Sequence, residues 1–200
     1  MVHTTTLAAD EEVPGRPFTR LARTLADLET LDRMRAAVRR RLHAGRDAGT
    51  WRVSGDRHWL VAPNPSALLE DKPVAAVGFF GQARGDVDHQ PIVRLEHELL
   101  GRAPWFPALV SYHNVHFASG QWGNLVTFLD ERGAGEVRGD PTHLEAVAQT
   151  AVHYHSVRLH RLRLADGPSG PARPELVETL LLDFDCSPPW RGLRPAPGAV

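Results

Sequence analysis

Ten residues in the middle of the chain, Leu109–Ala118, alternate with a period of two. Leu109, Ser111, His113, Val115 and Phe117 fall on one side, and Val110, Tyr112, Asn114, His116 and Ala118 on the other. Only an extended strand sends successive side chains to opposite faces in this way. Ser119-Gly120-Gln121-Trp122-Gly123 turns the chain, and Asn124–Leu129 returns as a second strand. A chain with such a hairpin between two helical patterns is constrained to build an antiparallel sheet with helices packed against it.

The flanking patterns complete that layout. Val74–Gln82 is an almost continuous apolar run and predicts a buried strand. A helix follows, with Asp88 near its cap, Ile92, Leu95, Leu99 and Leu100 on its apolar face, and Gly101 at its end. Beyond the hairpin, Gly133–Gly139 reads as loop. Asp140-Pro141-Thr142 opens a helix, Thr142 and Glu145 fit a capping box, and Leu144, Val147, Ala148, Ala151 and Val152 form its expected buried stripe. The stretch Ser156–Leu164 reads either as a continuation of that helix or as a strand; its alternation favours helix to about Tyr154 and then strand. Asp166–Pro174 is loop, and Glu175–Phe184 is a last apolar strand.

Upstream, Leu21, Leu25, Leu28, Leu31, Val38 and Leu42 carry helical spacing from Phe18 to about Ala44, with a stop at Gly45. Arg33, Arg35, Arg39, Arg40 and Arg41 are expected on its solvated face. Thr50–Val53 and His58–Ala62 flank a Ser-Gly-Asp-Arg turn and predict a hairpin. The expected organisation is therefore a disordered tail (1–17), a helix-and-hairpin extension (18–72), an α+β core domain (73–186) and an irregular Pro-rich tail (187–200).

Several function classes are set aside by composition. The net charge of −1 offers no general attraction for nucleic acid or an anionic membrane, and the arginine-rich helix has no recognition motif beside it. No run of about 18 apolar residues is present to span a membrane. The single cysteine, Cys186, excludes an intrachain disulfide framework and reads as passive. The acidic N-terminus lacks an apolar signal region, so a cytoplasmic location is expected. The segment GFFGQARGD has neither Gly-Lys-Ser/Thr nor GxGxxG spacing and is not a phosphate loop.

Histidines point to chemistry. Six of the eleven lie between Pro107 and Leu164, and imidazole titrates near neutrality. His113 and His116 should face opposite ways on their strand. The HxH of His153 and His155 lacks a following acidic residue, so no metal site is expected. If 156–164 is a strand, Arg158 and His160 share a face, and Tyr112, Asn114 and His116 make a second polar row. A pocket drawing on both rows would use His116 and His160 as acid/base groups, with Arg158 as an electrostatic anchor and Tyr112 and Asn114 as hydrogen-bond partners. Trp122 and Asn124, at the hairpin turn, and Trp105 would bind substrate or close an apolar cavity. His89 and His143 are expected at the surface, and Glu96, His97 and Glu98 in solvent.

From residue 74 the order is β, α, β, β, α, β. Over about 110 residues this order resembles the ferredoxin-like unit of the dimeric α+β barrel superfamily. That group includes antibiotic-biosynthesis monooxygenases, polyketide cyclases, haem-degrading enzymes, chlorite dismutases and aldoxime dehydratases. The resemblance implies a small-molecule enzyme of specialised bacterial metabolism, a cyclase, dehydratase or cofactor-free monooxygenase. It also implies, as alternatives, haem held by His153 or His155 on the second core helix, or a noncatalytic binding module. An exposed sheet edge would favour a homodimer.

Overall fold

A computed structural model describes residues 4–43, 51–53 and 57–196. Their elements, in chain order, are β1 (Thr4–Thr6), α1 (Leu21–His43), β2 (Trp51–Val53), β3 (Arg57–Val61), β4 (Val74–Ala83), α2 (Gln90–Gly101), β5 (Leu109–His116), β6 (Gln121–Phe128), α3 (Glu131–Arg138), α4 (Pro141–His153), β7 (Tyr154–Leu164), β8 (Glu175–Asp183) and β9 (Trp190–Pro195). All the strands join one sheet, in the order β1-β9-β8-β7-β4-β6-β5-β3-β2. Every pairing is antiparallel except that of β1 with β9. The fold is α+β. Its central strands β7-β4-β6-β5, joined through α2 and α4, have the ferredoxin-like order.

Register decides which residues share a face. Asn114 pairs with Asn124 and Tyr112 with Val126, while Phe79 pairs with both Asn124 and Leu159. These side chains point to the face covered by α2, α3 and α4. On the opposite face Gly78 lies beside Leu125 and His160, and Phe80 beside Gly123 and Arg158. Helix α1 covers that second face. Its Leu31 and Met34 pack with Val74, Ala76, Phe80, Val115, Leu125 and Leu162 in the principal core. Gly78 permits this approach, since a Cβ there would lie 2.5 Å from Leu31 Cδ1.

The β5–β6 hairpin turns at Gly120, whose φ of +75° is open to glycine without strain. The ambiguous stretch resolves as strand. Helix α4 ends at His153, Tyr154 takes extended angles (φ −128°, ψ 144°), and β7 runs on to Leu164 between β4 and β8. Both unpaired edges of the 154–164 backbone are thereby satisfied by neighbours.

Several expectations are corrected. Gly133–Gly139 lies largely within α3, which starts when Asp130 accepts a hydrogen bond from the Gly133 amide (2.8 Å) and buries Ala134 and Val137. The cap of α4 is Asp140, which accepts from the Thr142 amide (2.9 Å) in place of a Thr142–Glu145 box. Its expected buried stripe faces outward: Leu144, Val147 and Val152 are 54%, 55% and 57% exposed. The helix docks instead through His143, Ala146, Thr150 and His153. Both supposed tails contribute strands, because β9 pairs with β8 and offers its other edge to β1. Arg35 is buried, not solvated. It donates to the carbonyls of Pro168, Gly167 and Ala172 and pairs with Asp166, clamping the 165–174 loop to α1. The Ser54–Asp56 turn of the β2–β3 hairpin and the Gly45 stop lie outside the described residues.

Candidate active site

Helices α2 and α4 cross the sheet without closing on it. Between them and β4–β7 lies a cavity of about 230 Å³ with apolar walls from Phe79, Leu95, Leu99, Val157, Leu159 and Leu182. A second lobe of about 250 Å³ adjoins it under α3, sharing Phe79, Asn124, His143 and Leu159. Apolar walls with a few convergent polar groups are the ordinary character of a small-molecule site.

The polar groups meet at Glu96. Ile92, Leu95, Glu96 and Leu99 occupy one face of α2 at helical spacing, so the carboxyl is carried inward with the apolar stripe. Tyr112 Oη donates to Glu96 Oε1, Asn114 Nδ2 donates to the same oxygen (2.6 Å), and Asn124 Nδ2 donates to Tyr112 Oη (2.6 Å). Two neighbouring strands thus orient one carboxyl on the facing helix. Burial raises the Glu96 pKa, outweighing the hydrogen bonds from Tyr112 and Asn114 that favour the anion. Burial, reinforced by the Glu96 charge, pushes the Tyr112 phenol well up, and Tyr154 is raised for the same two reasons. Tyr154 packs edge-on against Phe79 (5.5 Å) and lines the cavity. His143, walling both lobes, has its pKa lowered by burial. The cavity therefore holds one carboxyl whose pKa burial raises, with neutral phenol and imidazole groups around it.

The structure separates the two polar rows seen in the sequence. Tyr112, Asn114, Asn124 and Trp122 come together at the cavity. His116 stacks on Trp122 (4.4 Å, 27°) instead of joining the cavity wall. Arg158 and His160 do share a face, but it is the other one, beneath α1. There Arg158 Nε and Nη2 donate to Asp27 (2.5 and 3.0 Å), and His160 bridges Asp27 (3.0 Å) and Thr179 (2.9 Å). All four are buried. One pocket using both rows is not formed, because strand register places residues 112 and 158 on opposite sides of the sheet. Trp105 is 74% exposed, under the Arg102 guanidinium (5.4 Å), and does not close the cavity.

Glu96, Tyr154 and His143 were missed as site residues. The signal for Glu96 was its place within the apolar stripe of α2; Tyr154 and His143 depend on how α4 docks. Neither expected haem ligand, His153 or His155, lines the apolar cavity. His153 is buried against His89 (5.4 Å) and Gln149 (3.3 Å), and His155 contacts Asp185 (3.0 Å) and Arg84 (3.2 Å). His155 instead borders a separate, more polar cleft with Ser156, Asp183 and Asp185. Among the described residues, no cluster of three or more His, Cys, Asp or Glu is arranged to hold a metal ion. Nor is any helix long and apolar enough to cross a membrane.

No protein-family model matches the chain, and no curated protein matches it. Two solved structures share part of its shape. A protein of unknown function from Nitrosomonas europaea is 15% identical, with a TM-score of 0.41, over 47% of this chain and 91% of its own. A candidate monooxygenase from Lactobacillus acidophilus NCFM is 12% identical, with a TM-score of 0.41, over 54% of this chain and 51% of its own.

Proposed function

We propose that the cavity is the active site of a cofactor-independent enzyme that moves a proton on a small, largely apolar molecule, with Glu96 as the base. The observation that carries this reading is the Glu96 carboxyl itself. It is turned into an apolar cavity, oriented through one oxygen by Tyr112 and Asn114, and held above the usual carboxylate pKa by burial. A carboxylate kept from water and tuned upward abstracts a proton more effectively than a solvated one. Tyr112 holds the base in place. Tyr154, neutral and in the same cavity, is positioned to return a proton to a developing oxyanion. The reading covers cyclisation, dehydration and the deprotonation that precedes cofactor-free oxygenation, all of which begin with such a step.

A direct test uses 5-nitrobenzisoxazole, an apolar probe whose ring opens when a base removes its one acidic carbon-bound proton. The N–O bond breaks as that proton leaves, and the phenolate released is coloured. Wild-type protein should open it faster than an equal concentration of acetate, with a rate that rises as Glu96 ionises. Glu96→Gln should lose that component. Equal rates for the two proteins would remove Glu96 as a base, and the chain would then stand as a binding module.

A further inference from the structure

The hydrogen-bond directions around Glu96 determine what an occupant must offer. An ionised carboxylate oxygen only accepts, so Asn114 must turn its amide nitrogen, and Tyr112 its single hydroxyl proton, toward Glu96 Oε1. The Tyr112 oxygen is then an acceptor, so Asn124 must also present its nitrogen to it. Both amide orientations follow from this chain of donation. The consequence lies on the other side of each amide. Asn114 Oδ1 and Asn124 Oδ1 are both buried without a hydrogen-bond partner, and both residues line the cavity. Asn114 itself is 1% exposed. A buried carbonyl oxygen left unpaired is costly, and two on neighbouring cavity-lining residues call for an explanation. The residues are direct cross-strand partners in the β5–β6 ladder, which keeps their side chains within a few ångströms of each other. Tyr112 and Asn114 both donate to Glu96 Oε1, which leaves Oε2 as a further acceptor on the same carboxyl.

We infer that this cavity takes an apolar, ring-containing molecule with two hydrogen-bond donors on neighbouring atoms, a vicinal dihydroxy compound being the simplest case. The donors satisfy Asn114 Oδ1 and Asn124 Oδ1, while the apolar body lies along Phe79, Leu99 and Leu159. Molecules with only acceptors at that end, ketones, quinones and ethers, meet oxygen against oxygen and are rejected. This specificity rests on the cavity being the working site, and it names the substrate class for the reaction proposed above.

The probes are 2,3-dihydroxynaphthalene, 2,3-dimethoxynaphthalene and 1,4-naphthoquinone, with binding to the intact protein followed by calorimetry. The diol should bind roughly tenfold or more tightly than the dimethoxy ether, which has the same rings and no donors. Asn124→Ala should narrow that preference to within about threefold, by weakening the diol's binding and relieving the ether's oxygen-to-oxygen clash. Equal or tighter binding of the ether or quinone would overturn the inference, as would absence of saturable diol binding or an undiminished preference in Asn124→Ala. Circular dichroism of the variant confirms that it is folded. The outcome is separable from that for catalysis. A diol preference kept in Glu96→Gln, together with no Glu96-dependent ring opening of the benzisoxazole, would sink the acid/base reading and leave the ligand class standing.

Discussion

Asp27 and Arg158, 131 residues apart, form a two-bond ion pair with both side chains only 6% exposed. The pair ties α1 to β7, and His160 completes it through the same Asp27 oxygen. Charges buried to this degree need full compensation, and removing one partner strands the other. Asp27→Ala should therefore destabilise the protein by about 3–5 kcal/mol, read from chemical denaturation.

The same pair predicts an acid limb. Burial pushes the Asp27 pKa up, but the hydrogen bonds and charges of His160 and Arg158 prevail and hold it below its ordinary value. A depressed folded-state pKa contributes stability that is complete above the unfolded carboxylate pKa and is lost as pH falls through the folded one. Stability measured below about pH 4 should fall less steeply in Asp27→Asn than in wild type. Parallel slopes would detach Asp27 from acid unfolding.

Glu96 carries the opposite sign. Its raised pKa means that the protonated carboxyl is favoured by the fold. Its contribution is full below the unfolded pKa and disappears as pH rises through the folded one. Glu96→Gln should match or exceed wild-type stability at neutral pH, with the gap narrowing in acid. Thermal melts at several pH values test this. A variant less stable than wild type at pH 7 would mark Glu96 as structural.

Arg35 grips the loop 165–174 through several acceptors at once. A lysine has the charge but not the planar fork, and cannot reproduce that set of bonds. Arg35→Lys should cost about 1–3 kcal/mol and raise hydrogen exchange across residues 165–174 in particular.

Gly167, within that loop, has φ of +82°, and a Cβ there would clash with the Glu70 carbonyl oxygen. Backbone cannot yield as a side chain does. Gly167→Ala should lose roughly 3 kcal/mol, measurable in urea, while Gly135→Ala, with its nearest contact at 3.8 Å, should be tolerated or mildly stabilising.

What the sequence determined by itself was the kind and order of the elements. Period-two alternation in Leu109–Ala118, the apolar run at Val74 and the Asp-Pro start at residue 140 are local signals, carried by neighbours in the chain, and they led to the α+β sheet. The cross-strand group Tyr112, Asn114 and Asn124 was legible for the same reason, since a hairpin is local. Tertiary structure alone decided which groups share a space. The face that Arg158 takes depends on a ladder between β4 and β7, and Asp27, its partner, lies on a helix 131 residues earlier. Glu96 has a charged side chain, and charge by itself points to solvent; only the gap between α2 and the sheet brings it to Tyr112. The stripe of α4 shows the same limit, because periodicity marks Leu144, Val147 and Val152 as one apolar face and says nothing of whether another element covers it. Local physics sets each element, and the long-range register and docking of those elements set the site.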